Sequence, residues 1–474
     1  MRYDDDPIRR AVSRRLPDYV ALSDRIWDRP ELDFAETEAC AAHAAMLERE
    51  GFRVSIGVAG MPTAVVGEWG DGGPVIGLLG EFDALPELSQ QAGVAERRPL
   101  IEGGAGHGCG HNLLGAGSLL AAAAVRDWLA AEGRPGRVRY YGCPAEEGGS
   151  GKGFMVRAGL FDDVDVAVSW HPAPIAAVNT PISLACTELL FSFRGRASHA
   201  AASPELGRSA LDAMELMNVG VNFLREHMPS TARIHYAVID GGGRAPNVVQ
   251  AHASVRYLIR TRELDELGPL VERVRRIAAG AAMMTETTVD DRVLSGDANL
   301  IGNGPLEELM QAELLRLGPP PFDAEDRRFA EAIRATLSEE DIRAAFLRFG
   351  MEPRLDMPLC DVVAPLCAGS GSGVGSTDVG TVSWVVPTVQ ARGATYAIGT
   401  PGHSWQLVAQ GKSGIAHKGM AHAATVMAAT VRALFEDPEK IAAAKADFVR
   451  RRAGRAFLNP LPDDIEPYLP TAAA

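Results

Sequence analysis

Glu81-Phe82-Asp83 is followed along the chain by His107-Gly108-Cys109-Gly110-His111-Asn112 and Cys143-Pro144-Ala145-Glu146-Glu147, then by His171-Pro172 and Gly402-His403-Ser404. Imidazole, thiolate and carboxylate together suit zinc, manganese, cobalt or nickel better than magnesium or calcium. Cys109 and His111 are two apart in a glycine-rich run, so in an extended backbone both point to one side and can reach one centre. Adjacent carboxylates such as Glu146 and Glu147 can divide the work, one binding metal and the other moving protons. A metal-held water has its pKa lowered towards ~7, and a carboxylate beside it can take that proton and return it to a leaving amine. Each segment alone has an ordinary reading, as a buried thiol, a solvated acidic pair or a turn histidine. Five such segments in register are hard to explain that way.

The register comes from the apolar runs that precede them. PVIGLLG (74–80), RVRYYGC (137–143), DVDVAVSW (163–170) and ATYAIG (394–399) are short, apolar at both parities and rich in Val, Ile and Tyr. Strands buried on both faces have this signature. Each run ends in a turn and precedes a helical stretch, which predicts an α/β fold with a parallel or mixed sheet covered by helices. The polar segments then lie at the carboxyl ends of strands, where open α/β sheets build their sites. Residues 7–52 read as helices up to Gly51, and residues 300–350 as helices that elaborate the pocket. Between them, strands at 188–196, 232–241, 248–261 and 285–294 and helices at 204–227 and 263–282 give the order β-α-β-β-α-β of a ferredoxin-like unit. This predicts an inserted domain over 187–296, with the catalytic domain in two parts, 1–186 and 297–474. The Gly/Ser run 369–377 lacks the pattern of a phosphate-binding loop.

Composition narrows the class. The 474 residues are 46% hydrophobic and 23% charged, with formal net charge -14 and pI near 5.3. No basic run stands out, which argues against nucleic acid or an anionic membrane as partner. The six cysteines have no framework spacing and read as reduced thiols of a cytoplasmic protein. The charged start MRYDDDPIRR does not read as a signal peptide, and the apolar run 113–125 reads as a buried helix. His43, His227, His235, His252 and His422 lack motif context and read as surface or core residues, and Met214 and Met217 as core.

The polar segments resemble the metal-dependent peptidase and amidohydrolase family that includes aminoacylases, carboxypeptidase G-type enzymes and indole-acetyl-amino-acid hydrolases, and within it the aminobenzoyl-glutamate hydrolase branch. The matching stretches are GEFDALPELSQ (80–90), GHGCGHNLLGAGS (106–118), CPAEEGGSGK (143–152), WHP (170–172), GRASHAA (195–201), GSTDVGTVSWVVPT (375–388) and PGHSWQ (401–406). They run in family order over most of the chain. The resemblance implies a zinc-aminopeptidase-like catalytic α/β domain with an inserted ferredoxin-like lid and dimerisation domain. It also implies two divalent ions per chain, manganese or zinc, with cobalt or nickel as further options. Cys109, His111, Glu147, His171 and His403 match the family's metal ligands, and Glu146 its general base. His199 matches a lid histidine that serves a neighbouring subunit's site by stabilising the oxyanion, and Asn247 and Arg260 match residues near the substrate carboxylate. The implied activity is hydrolysis of the amide bond of a small N-acyl or N-aroyl amino acid by a homodimer, with a paralogous partner subunit as the other assembly.

Some positions depart from the family. Glu81-Phe82-Asp83 stands where many relatives have a ligand-bearing His-x-Asp, which leaves Asp83 a supporting role. Asn112 replaces an Asp of many relatives, and Thr381 replaces an Asp of the branch, which bears on the substrate. His417 competes with His403 for the last ligand position, and His107 reads as structural. Rival functions are aromatic amine deamination or another amide cleavage on the same centre, a non-catalytic subunit, and a thiol enzyme using Cys109 or Cys143. The complete ligand set together with Glu146 favours an active metal-dependent hydrolase.

Overall fold

The computed structural model describes residues 6–178, 182–366 and 375–469; Cys367 and most of the Gly/Ser run 369–377 lie outside them. Helices α1 (Pro7–Trp27) and α2 (Thr37–Arg49) lead into strands β1 (Arg53–Ile56), β2 (Val65–Asp71) and β3 (Val75–Glu81). Then come α3 (His111–Glu132), β4 (Gly136–Cys143), α4 (Gly151–Arg157), β5 (Val166–Ala173) and β6 (Ala177–Val178). A second group comprises β7 (Ala185–Arg194), α5 (Ala210–Leu224), β8 (Arg233–Asp240), β9 (His252–Thr261), α6 (Leu264–Met284) and β10 (Thr288–Asp297). The remaining elements are α7 (Gly304–Leu317), α8 (Ala324–Arg334), α9 (Glu339–Arg348), α10 (Val379–Ser383), β11 (Thr388–Ala394), α11 (Trp405–Gln410), α12 (Gly414–Glu436) and α13 (Pro438–Arg452).

Apolar strands pair into a seven-stranded mixed sheet of order β1-β2-β4-β3-β5-β11-β6. Its centre, β4-β3-β5-β11, is parallel, and the flanking strands are antiparallel. Every residue of β3 is buried, as expected of a central strand covered on both faces. Helix α3 packs against β3, α1 and α12. It is long and apolar enough to cross a membrane, but it is enclosed by protein and forms part of the core. Gly115 lets this helix approach the end of β3: a Cβ there would sit 2.7 Å from the Glu81 carbonyl oxygen.

The second sheet, order β10-β7-β9-β8, is antiparallel throughout. Alternate residues of β7 and β9 are buried against α5 and α6, which supply Met214, Met217, Val271 and Val274 to that core. The fold is thus a mixed α/β layer carrying an inserted β-α-β-β-α-β unit.

One expected strand is displaced. The run 394–399 is irregular, and the strand lies just before it, at Thr388–Ala394. Gln390 and Arg392 interrupt the apolar signature of that strand, although both turn their side chains toward the cavity described below.

Candidate active site

The polar segments converge where the parallel strands end. Glu81 is the last residue of β3, Cys143 the last of β4, and His171 lies near the end of β5. His111 opens α3, preceded by Gly110, whose φ of 77° puts it in the left-handed region that glycine adopts at no steric cost. A Cβ at Gly110 would also lie 3.0 Å from Pro172. This turn brings the Cys109–His111 loop against His171. The His403 N–H donates to the Gly108 carbonyl at 2.9 Å, which ties the last histidine to the same loop.

Three overlapping groups of ligand atoms result, each with all its atoms within 4.8 Å of one another: Cys109 with His111 and His171, Cys109 with Glu147 and His403, and Glu81 with His111 and Glu146. Cys109 Sγ lies 3.3 Å from His171 Nε2, and His403 Nε2 lies 3.6 Å from Glu147 Oε2. Glu146 Oε2 is 4.0 Å from His111 Nε2. The structure thus gathers Cys109, His111, Glu146, Glu147, His171 and His403. His417 instead sits 2.9 Å from Asp24 through Nε2, and His107 is buried against the Ile26 carbonyl.

Neighbouring groups orient these ligands. Asp83 accepts from His111 Nδ1 at 2.8 Å with one oxygen and from the Glu147 N–H at 2.8 Å with the other. A carboxylate only accepts, so His111 carries its proton on Nδ1 and presents the Nε2 lone pair to the cluster. His171 Nδ1 donates to the Pro172 carbonyl at 2.8 Å and likewise frees Nε2. Burial, then the charges of Arg392 and His111, push His171 well below its usual range, which keeps the imidazole neutral with a lone pair on Nε2.

The electrostatics call for cations. Burial and the neighbouring Glu81 and Glu147 push Glu146 well above the usual carboxylate range. Burial, together with Asp83 and Glu81, raises Glu147 to about 7 against the pull of His111. Burial opposes charge on His111, yet Cys109 and Asp83 outweigh it and raise its pKa well above normal. Buried His111 Nε2 and Glu147 Oε1 also lack hydrogen-bond partners among the described residues. A half-buried thiol, imidazoles and carboxylates with orphaned lone pairs fit divalent metal ions.

A supporting layer of charged residues has no counterpart in the sequence patterns. Lys152, fully buried, reaches Glu81 Oε1 and Asp378 Oδ1, each at 2.6 Å. Asp378 also accepts the Lys152 N–H at 2.9 Å, which ties the start of α4 to the start of α10. Glu36 accepts the Ala145 N–H at 2.8 Å and the Thr63 hydroxyl at 2.9 Å. Asp33 fills the space beside Gly148, where a Cβ would meet its carboxylate at 2.3 Å. The only sequence signals are a lysine inside CPAEEGGSGK, an aspartate inside GSTDVG and acidic residues before α2, none of them periodic.

The cluster opens into a cavity of about 870 Å³ between the two sheets, lined on one side by Cys109, His171 and Arg392 and on the lid side by Arg260 and Asp297. Arg260 Nε is buried without a hydrogen-bond partner among the described residues. His199 and Asn247 do not line this cavity. They are neighbours on the lid: His199 bridges Val248, and the Asn247 carbonyl accepts the Ala200 N–H at 2.9 Å. Thr381 is buried away from the cavity, its hydroxyl accepting the Ala298 N–H, and Asn112 pins α3 to Ser23 and Gly411.

Residues 77–353 match the model of the peptidase family M20/M25/M40. Over 98% of both proteins, the chain is 44% identical to one of the Escherichia coli proteins named as subunits of p-aminobenzoyl-glutamate hydrolase. An aminobenzoyl-glutamate utilization protein from Klebsiella pneumoniae superposes with a TM-score of 0.59 at 17% identity, covering 90% of this chain and 98% of that one. A dinuclear metal-binding M20 peptidase from Bacillus subtilis superposes with a TM-score of 0.54 at 17% identity, covering 87% and 98%. These two likenesses show a shared fold. The chain therefore belongs to the peptidase family M20/M25/M40 and is an amide-bond hydrolase that depends on divalent metal.

Proposed function

We propose that this enzyme hydrolyses the amide bond of small N-acyl or N-aroyl amino acids, with aminobenzoyl-glutamate as the first substrate to try. The supporting observation is the Glu146–Glu147 pair set against the Cys109, His111, His171 and His403 cluster in a cavity that Arg260 also lines. The similarity to a hydrolase named for p-aminobenzoyl-glutamate supports the substrate class. In this reading the cluster holds two divalent ions, manganese or zinc, with cobalt or nickel as substitutes. Bound ions supply Lewis acidity, polarising the scissile carbonyl and making the attacking water more acidic.

The protein's own groups do the rest. Glu146 takes the proton of the attacking water and delivers it to the departing amine nitrogen. Arg260 receives the substrate's α-carboxylate. His199 Nδ1 accepts the Ala201 and Ala202 N–H groups at 3.2 and 3.1 Å, which puts its proton on Nε2. That N–H is exposed on the lid and suits donation to the oxyanion in a neighbouring subunit, with Asn247 beside it.

The assembly we propose is a cytoplasmic homodimer through the lid, residues 187–296, with the catalytic parts at 1–186 and 297–474. Strand β8 is an edge strand, and apolar Val238 and Ile239 on it and Val219 and Phe223 on α5 are exposed. Such an edge with an apolar flank suits pairing with a second chain. A paralogous partner is the other arrangement, since two different Escherichia coli relatives are named as subunits of one hydrolase. The test is a panel of N-acyl amino acids, aminobenzoyl-glutamate included, given to the metal-reconstituted protein. Release of free amine supports the reading, and failure to cleave any member overturns it.

A further inference from the structure

The face of the lid sheet turned away from α5 and α6 sets an acid and a base in one row. Cys186 of β7 pairs in register with Asp297 of β10 on one side and with Arg260 of β9 on the other. Directly paired residues of antiparallel strands share a face, and all three line the cavity. With one strand between them, the backbones of Asp297 and Arg260 stand about 10 Å apart. Each has an unmet polar atom: Asp297 Oδ1 and Arg260 Nε are buried without hydrogen-bond partners among the described residues. Asp297 is 7% exposed, and its Oδ2 accepts only a weak bond from Cys186 Sγ at 3.4 Å. Burial raises its affinity for protons, against the pull of Ser150, Cys186, Lys152 and Arg260. The neighbouring charges are already engaged. Lys152 is held by Glu81 and Asp378, each at 2.6 Å, and Glu188 faces Arg256 and the Ser295 hydroxyl, each at 3.4 Å. A buried carboxylate oxygen without a donor is costly, and a ligand that brings one removes that cost.

Resting on the reading above in which Arg260 receives the α-carboxylate, we propose that Asp297 accepts the α-nitrogen beside it. This row of the lid then binds the free α-amino acid released by hydrolysis, as a zwitterion. In the intact substrate that nitrogen belongs to an amide and offers one neutral N–H. Cleavage gives it one proton through Glu146 and a second from the new carboxylic acid by way of solvent, so it ends as an ammonium. A hydrogen bond between two charged groups is roughly twice as strong as a neutral one. The lid therefore holds the product amino acid more firmly than the same half of the substrate, and the free amino acid inhibits.

Calorimetric titration of the metal-loaded protein compares L-glutamate with glutarate and L-leucine with 4-methylpentanoate, pairs that differ only in the α-amino group. The wild type binds the amino acid of at least one pair more tightly by roughly 10–100-fold, the range of one charged hydrogen bond. Asp297→Asn keeps the shape without the charge and brings that ratio close to one. Arg260→Gln weakens both members of the pair alike and keeps the ratio. Equal binding within both pairs, or no binding of any member, overturns the proposal. So does a preference that survives in Asp297→Asn, which would place the amine on the metal cluster instead. Should Asp297→Asn misfold, Arg260→Gln decides, because undiminished binding of the amino acid in that variant puts the ligand elsewhere. The titration needs no turnover and so is judged apart from the hydrolase reading. If no amide is cleaved and the preference exists and is lost in Asp297→Asn, that reading fails and the amino-acid site stands.

Discussion

The Glu36 carboxylate accepts the backbone N–H of Ala145 at 2.8 Å. Ala145 has a φ of 54°, a left-handed conformation that costs a non-glycine residue, and it immediately precedes Glu146. A residue from the N-terminal helical region thus fixes the strained turn that carries Glu146, the general base of the proposed mechanism. Glu36→Ala leaves that N–H buried without an acceptor, a loss of about 1–3 kcal/mol. We expect denaturant unfolding to show that loss and kcat to fall about 10-fold or more as Glu146 leaves its productive geometry. Glu36→Gln keeps an acceptor and should recover most of both.

The buried Lys152 holds Glu81 and Asp378 together. Lys152→Met leaves two buried carboxylates without their cation, and breaking such a pair from one side costs about 3–5 kcal/mol. The destabilisation should be read by chemical denaturation. Pairing Lys152→Met with Asp378→Asn removes one of the stranded charges and should regain part of the loss. Equal stability of the single and double variants would show that the charges are not coupled.

Two buried histidines outside the candidate metal cluster predict acid sensitivity. Burial lowers both His43 and His422 to about 4 against an ordinary 6.5, even though each ring has a backbone carbonyl partner. Between those pH values the unfolded chain takes up protons that the folded chain refuses, so stability falls as the pH drops through this window. The loss is at most about 1.4 kcal/mol per pH unit for each histidine. His422→Gln keeps a donor for the Gly318 carbonyl but cannot titrate. Its stability measured between pH 7 and pH 5 should fall less steeply than that of the wild type, and parallel curves would rule out His422 as a contributor.

His199 is tested by mixing two inactive variants, Glu146→Gln and His199→Ala. Each should retain metal, and His199→Ala should lose roughly 10²–10³-fold in kcat, the worth of one oxyanion donor. After subunit exchange, a mixed dimer has one site with both groups intact, so activity should return. Demonstrated exchange without recovery would place His199 within its own chain's chemistry or outside catalysis.

Much of this architecture is legible in the sequence because it rests on residue patterns. β3, β4 and β5 are apolar at both parities, and the ligand-bearing turns follow them directly. The β-α-β-β-α-β order of the lid shows in its alternating strands and two amphipathic helices. β11 is misplaced by one segment because Arg392 and Gln390, which line the cavity, interrupt the apolar pattern of a buried strand. Lys152, Asp378 and Glu36 stay invisible for another reason. Their partners lie 27 to 226 residues away with no repeating pattern, so only the folded chain brings them together.

The central claim is that Glu147 binds metal while Glu146 moves protons, and the metal content of three purified proteins tests it most directly. Elemental analysis should find about two divalent ions per chain in the active wild type and the same in Glu146→Gln. The latter should be slower by roughly 10²–10⁴-fold. Glu147→Gln should hold less metal, because its carboxylate lies in the group with Cys109 and His403. Chelation should abolish wild-type activity, and zinc or manganese should restore it. An active preparation without stoichiometric metal, or metal lost from Glu146→Gln and kept in Glu147→Gln, would contradict this assignment.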